Sequence, residues 1–491
     1  MSVMFRSFAF RIFLIALVLR LLPVIAARGL GIGLDDMFQY DMLARSLAAG
    51  NGFRWYAQDD LKQLAPYVDF DLASAKEYDP AVGLRTSFRA PLYPAFLALV
   101  YFFSGMDFSR FFAARLAQAI FLGAPLAPLT YLVSKQIFPP LRLGEDAGLR
   151  SERTARVAAW IVACYPMLLV YPLGLGTENP FFLLLLTAFY FLLLALKRPS
   201  GQNLLLSGLF LALTALTRSV ILPFALAAFC LLFYLHKKQA IIAILAFLVV
   251  VTPWVVRNSL LHQKLTGIET SMGYNLYLGY HPQGNGSFVF GPSLDLLTIL
   301  DDAERDRIGT EKAMEFINAQ PERFLPLAIN RLGFFFGLEK RVLMYFYSNN
   351  ILGYVPQPIL IAIAAILLFP FVLSSTFAAL GLSFLRWKPE HILLMLLFVC
   401  YILPHVLILS EDRFHLALVP YIAILAAQVW VNGLSPMVVH WNESQSGKIM
   451  GVMAILAAGL LLANWGFELH RDADKIVQLL GPNGNQTHFP Y

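Results

Sequence analysis

The chain has 491 residues, 58% of them hydrophobic and only 14% charged, with a mean hydropathy of +0.65. That composition excludes a soluble globular protein and points to an integral, polytopic membrane protein. The net charge of +6 does not imply a nucleic-acid partner, because Lys and Arg fall in small clusters between apolar runs, as a membrane topology signal does. Cys164, Cys230 and Cys400 lie singly in apolar runs, which indicates neither a disulfide framework nor a zinc site.

In chain order, the first apolar run, 8–27, has no small-residue cleavage pattern behind it and reads as a retained span. Further runs near 109–134, 156–176, 179–196, 202–217, 219–235, 239–256, 356–384, 390–409, 413–431 and 449–466 are long enough to cross. The expectation is an all-α polytopic membrane protein with about eleven (roughly ten to thirteen) transmembrane helices. The run 91–105 is short and opens with Pro91-Leu-Tyr-Pro94, so it reads as re-entrant or interfacial. If Arg6 and Arg11 hold the N-terminus in the cytoplasm and this run does not cross, the basic clusters at 135–156, Lys197-Arg198, Lys237-Lys238 and Arg386-Trp-Lys388 all fall on the cytoplasmic side; if it crosses, the first three are translocated. Two large loops, 28–108 and 257–355, then face the outside and carry juxtamembrane helices. The run 324–338 contains Asn330 and Arg331, and 356–384 contains Pro370; the side of the C-terminus stays open, with outside favoured.

The residues suited to chemistry gather on that outer face. Asp35 and Asp36 stand at a membrane boundary, where charge is costly unless hydrated, paired or used. A carboxylate there can take a proton from an attacking hydroxyl, and its acidic neighbour raises its basicity; the alternative is a helix N-terminus that favours Asp. Arg89, before the rigid Ala90-Pro91-Leu-Tyr-Pro94 turn, is suited to holding a phosphate bidentately, or else is an interfacial arginine. Arg257, in Pro253-Trp-Val-Val-Arg-Asn258, is a second phosphate candidate, since positive charge outside runs against the topology bias. Glu178 pairs with an arginine, orients an acceptor, or caps the next helix. Arg115 and Arg218 are single cations near the outer ends of their spans. Asp69-Phe-Asp71 has the look of a metal-holding acid pair, a pattern that also recurs by chance.

Together these residues resemble the GT-C superfamily of polytopic glycosyltransferases, in the branch of the protein O-mannosyltransferases and the bacterial lipid A aminoarabinose transferases. The likeness rests on Asp35-Asp36 followed by Tyr40, Ala44 and Gly50, on Arg89-Ala-Pro-Leu-Tyr-Pro94, on Thr177-Glu178, on Pro253-Trp-Val-Val-Arg-Asn258 and on Arg413-Phe-His-Leu-Ala-Leu-Val-Pro420, in family order. It implies a catalytic transmembrane region over 1–432 and a C-terminal span and tail over 433–491. It further implies transfer of a hexosyl or pentosyl group from a polyprenyl-phosphate donor to a lipid, glycan or protein acceptor at the extracytoplasmic face of the cell membrane. Asp35 would be catalytic with Asp36 beside it, Arg89 and Arg257 would contact donor phosphate, and Glu178, Tyr40 and Arg413 would orient or bind the acceptor. The family often has Asp-Glu where this chain has Asp-Asp, which leaves the division of roles open. No metal ligand is assigned, and a divalent metal stays open, as do the sugar and the acceptor. The alternatives are a polyprenol-linked sugar flippase or transporter, in which charges between helices line a route, and a polysaccharide polymerase or ligase.

Overall fold

The computed structural model describes residues 7–70, 72, 77–139 and 145–487; Asp71 of the Asp69-Phe-Asp71 pair lies outside the described residues. The fold is that of an all-α polytopic membrane protein. The first span, α1 (Phe8–Ala26), is capped by Ser7, whose hydroxyl accepts the Phe10 N–H. Its buried Arg20 donates to Val162 O and Ala163 O at 3.1 and 3.3 Å. Those carbonyls are freed where helix Glu145–Cys164 stops ahead of Pro166 and the chain bends by 52°. An arginine is therefore held within the bundle by backbone acceptors, not by a carboxylate.

After α1 the short helix α2 (Asp36–Ala48) follows, with Asp35 as its N-cap. The chain then forms a ribbon the sequence reading did not anticipate: β1 (Arg54–Trp55) pairs antiparallel with β2 (Leu84–Arg85), placing Arg54 opposite Arg85. Gly83 closes it at φ +76°, where a Cβ would stand 2.0 Å from Trp55 O. Strands of two residues carry no legible period, so helix-and-loop was the natural expectation. Next comes α3 (Leu92–Ser104), whose 13 residues extend about 20 Å, too little for a hydrocarbon core of about 30 Å. It packs Tyr93, Leu97 and Tyr101 against Tyr40 and Ala44 of α2, in keeping with a segment that does not cross.

Beyond it lie α4 (Glu178–Lys197), α5 (Leu222–His236) and α6 (Ile241–His262). The last two fold back on each other at Lys237, where φ is +52°. The rings of Phe229 and Phe247 meet at 5.4 Å, whereas on one straight helix they would be about 27 Å apart. Among the described residues, eight helical segments are long and apolar enough to cross, or nine if the bent pair counts as one span. Eleven follows only if the α5–α6 hairpin is counted twice and the 15-residue Gly201–Ala215 once.

The second loop contains α7 (Asp302–Ala319) and α8 (Arg341–Ser348). Then α9 (Val419–Asn432) runs through the centre, buried from Val419 to Val429 on every side, as expected of a helix apolar all round. The last span, α10 (Gln445–Arg471), ends beside the second loop. Lys340 pairs there with Glu468 at 2.6 Å and also with Asp472, and Leu479 packs on Leu343 and Tyr347. The C-terminal helix therefore shares the face of the second loop.

Candidate functional site

A cavity of about 1110 Å³ opens where the two loops meet the ends of the helices. Its floor is made by breaks between helices, which is why charge collects there: a helix end carries unsatisfied backbone groups and admits polar side chains. Asp35 and Asp36 come from the start of α2, Glu178 from the start of α4, Arg218 from the turn before α5, Arg341 from α8, and Glu411, Asp412 and Arg413 from the turn before α9. Arg89 enters from the segment between β2 and α3.

These charges form one network. Asp36 accepts from Arg89 Nη2 through Oδ1 and lies 3.4 Å from Arg413 through Oδ2. Glu178 lies 2.8 Å from Arg218 and 3.7 Å from Arg413. Glu411 lies 2.7 Å from both Arg341 and Arg413. Arg413 thus faces three carboxylates, and it is the member on which the others converge. The guanidinium of Arg89 also donates through Nε to Gln39 Oε1 at 2.8 Å and lies over the Tyr40 and Phe88 rings at 5.3 and 5.0 Å. Tyr40 is buried and packs edge-on against Tyr93.

The adjacent acids Asp35 and Asp36 have opposite electrostatics. Burial, then the charge of Asp36, push the Asp35 carboxyl above the ordinary aspartate range. Asp36 is held well below it: burial opposes ionisation, but Arg89 and Arg413 outweigh burial. Glu411 is likewise drawn down to about 2, with burial opposed by Arg341 and Arg413. Asp35 Oδ1 accepts the Met37 N–H at 2.8 Å, so it caps α2 and lines the cavity at once. The capping and the chemical readings of this residue are compatible.

The two loops are clasped behind Arg89. Asp302, at the start of α7 and almost fully buried, accepts from Thr86 Oγ1 at 2.6 Å and Ser87 N at 2.8 Å while pairing with Arg305. Ser87 O accepts from Thr270 N at 3.0 Å, and Ser87 Oγ is 2.7 Å from His262 Nε2. The backbone leading into Arg89 is therefore fixed by the second loop.

Of the residues singled out from sequence, Asp35, Asp36, Tyr40, Arg89, Arg115, Glu178, Arg218 and Arg413 line this one cavity. Arg257 does not. It donates to Thr86 O at 2.5 Å, Asn258 Oδ1 at 2.9 Å and Phe53 O at 3.4 Å, and it stacks 4.8 Å from the Trp254 ring. The expected convergence of Arg89 and Arg257 on one phosphate is thus not the arrangement observed: the loops close, but Arg257 ties them together from outside the cavity. Arg218, taken from sequence as a lone cation, is the partner of Glu178. Arg115 is bonded to Leu30 O, Gly31 O and Leu173 O and serves as a backbone tie. Sequence reasoning missed Arg341 and Glu411; the only available signal for Glu411 was its place in the polar turn Ser410-Glu-Asp-Arg413. Among the described residues no group of three or more His, Cys, Asp or Glu is placed to hold a metal ion.

Fold and site together define a polytopic helical membrane protein with a charged cavity at one end of its spans. No family model matches the chain, and no curated sequence does. Among solved structures it is similar to the Archaeoglobus fulgidus oligosaccharyltransferase in complex with Zn and sulfate, at 14% identity and a TM-score of 0.47, over 99% of this chain and 59% of that one. The chain therefore spans less than two thirds of that structure's length. It is also similar to ArnT from Cupriavidus metallidurans bound to undecaprenyl phosphate, at 12% identity and a TM-score of 0.38, and to the apo form of ArnT, at 11% and 0.36. Each of these two covers 87% of this chain and 79% of that one.

Proposed function

We propose that the protein is a glycosyltransferase that moves a sugar from a polyprenyl-phosphate donor to a hydroxyl-bearing acceptor in this cavity, on the extracytoplasmic side of the cell membrane. The observation that carries the reading is the pairing of two adjacent carboxylates with opposite roles: Asp35 with a raised proton affinity, and Asp36 locked to Arg89 and Arg413. The acceptor hydroxyl attacks the anomeric carbon, Asp35 takes the hydroxyl proton, and the bond from that carbon to the phosphate oxygen breaks, leaving polyprenyl phosphate. A base works best when its proton affinity approaches the working pH, which favours Asp35 over Asp36. The charge that develops on the leaving oxygen falls to Arg89. Its Nη1 has no hydrogen-bond partner among the described residues, while Gln39 and Asp36 hold the rest of the guanidinium in place. Asp36 acts through that arginine as a positioning residue.

The test uses a synthetic polyprenyl-phosphate sugar and the purified protein. Asp35→Asn is expected to lower turnover by about 10²- to 10⁴-fold while leaving donor binding nearly intact, since the change is close to isosteric. Near-parent turnover in a folded Asp35→Asn variant overturns the assignment. A parent protein that carries donor across vesicle membranes without transferring sugar favours a transporter instead.

A further inference from the structure

A second hollow, of about 660 Å³, lies on the far side of Phe53 from the cavity and is lined by Arg54, Arg85 and Arg257 together with Val256 and Leu260 of α6. Arg54 and Arg85 are directly opposed in the ribbon, an arrangement in which like charges destabilise the pair. Arg54 donates to Gly83 O at 3.0 Å and Arg257 to three neutral oxygens. Among the described residues none of the three arginines has a carboxylate within ion-pair distance, and no acidic residue lines the hollow. Three cations are therefore gathered with no carboxylate at ion-pair distance among the described residues.

The apolar half of the hollow continues down the membrane-spanning helix. Leu245, Val249, Val256 and Leu260 recur at helical spacing on one exposed face of α6, at 55%, 71%, 48% and 67% exposure. A soluble phosphate would have no use for that stripe, whereas a lipid could fill both halves. We propose that the hollow binds the phosphate headgroup of an anionic membrane lipid, with an acyl chain laid along α6. The aromatic wall of Phe53, Trp55, Phe88 and Trp254 separates it from the reaction cavity, so this site stands whether or not the glycosyltransferase reading does.

The experiment counts lipids retained by the full-length protein from nanodiscs containing phosphatidylglycerol in phosphatidylcholine, by native mass spectrometry, with no sugar donor present. Arg54→Gln/Arg85→Gln removes two of the cations and only one internal hydrogen bond, so the protein is expected to keep its melting temperature. It should lose at least about tenfold in affinity for one phosphatidylglycerol, with phosphatidylcholine unaffected. Leu260→Gln should weaken retention with all three arginines in place. Unchanged retention in the folded double variant overturns the proposal. So does glycerol phosphate displacing the lipid at equal concentration, which would make this a site for free phosphate. Should the double variant not fold, Arg85→Gln alone, which breaks no internal bond of this exposed side chain, is read the same way.

Discussion

At the scale of single residues, Arg89, which faces a carboxylate of the cavity, and Arg257, which holds backbone oxygens, should behave differently when removed. Arg89→Ala takes away the proposed contact to the leaving phosphate and should lower kcat/KM at least about tenfold, or about 1.4 kcal/mol of transition-state binding. Arg89→Lys should retain part of the activity, because a point charge remains where a fork was. Arg257→Ala should leave kcat/KM within about threefold but lower the melting temperature, since it strands the carbonyls of Thr86 and Phe53, at about 1 to 3 kcal/mol. Donor titrations on the three variants, with thermal unfolding alongside, separate these outcomes. The pH profile supplies an independent check on Asp35. Its carboxyl is raised by burial and by Asp36 and must be deprotonated to act as a base, so kcat/KM should rise with pH through an inflection above the ordinary aspartate value. That rising limb should be absent in Asp35→Asn. A limb that survives the substitution assigns the base elsewhere.

At the scale of elements, the clasp between the loops decides whether Arg89 is held where the chemistry needs it. Asp302 is the key to it, because it accepts from Thr86 and Ser87 and neutralises the buried Arg305 in the same stroke. Asp302→Ala should destabilise the protein by about 3 to 5 kcal/mol, the cost of leaving a buried charge alone, with lost turnover accompanying the lost stability; a small shift in melting temperature would show that the clasp is dispensable. This element also marks where sequence reading stopped. Asp35-Asp36, Arg89, Glu178 and Arg413 were legible because each sits where an apolar run breaks, and charge at such a break demands a reason. Asp302 was not, since it lies in an ordinary polar helix whose first turn favours acids anyway. The β1–β2 ribbon was likewise invisible, because residues 56–83 separate its partners and its strands are too short to show alternation. Arg257 was legible as an unusual cation but not as to its partners: spacing gives a residue's place on a helix, and only the folded loops determine that it points at carbonyls and not at the cavity.

At the scale of the whole molecule, the question is whether the charged cavity faces outward, as a lipid-linked donor on the outer leaflet requires. The hydropathy pattern made most of the helical bundle readable in advance, since a segment that crosses about 30 Å of hydrocarbon must be long, apolar and helical. It did not fix the number of crossings, because Gly201–Ala215 is short and the segment 148–173 is bent by 52° at its break. The orientation rests on the α5–α6 hairpin. Lys237 and Lys238 stand at its tip, and α6, with 22 residues and so about 33 Å of length, leads from there to the second loop. The tip and that loop must then lie on opposite sides of the membrane, and the positive-inside bias puts the lysines in the cytoplasm. Lys238 and Asn285 are both exposed, so each can carry a single cysteine in a background where Cys164, Cys230 and Cys400 are replaced by serine. An impermeant thiol reagent applied to intact spheroplasts should label position 285 and reach 238 only after lysis. Labelling of 238 and not 285 would invert the molecule, place Asp35 and Arg89 in the cytoplasm, and require a donor presented on the inner leaflet. Labelling of both before lysis would mean that α6 does not cross, and the cavity would then have to be rebuilt without its second loop.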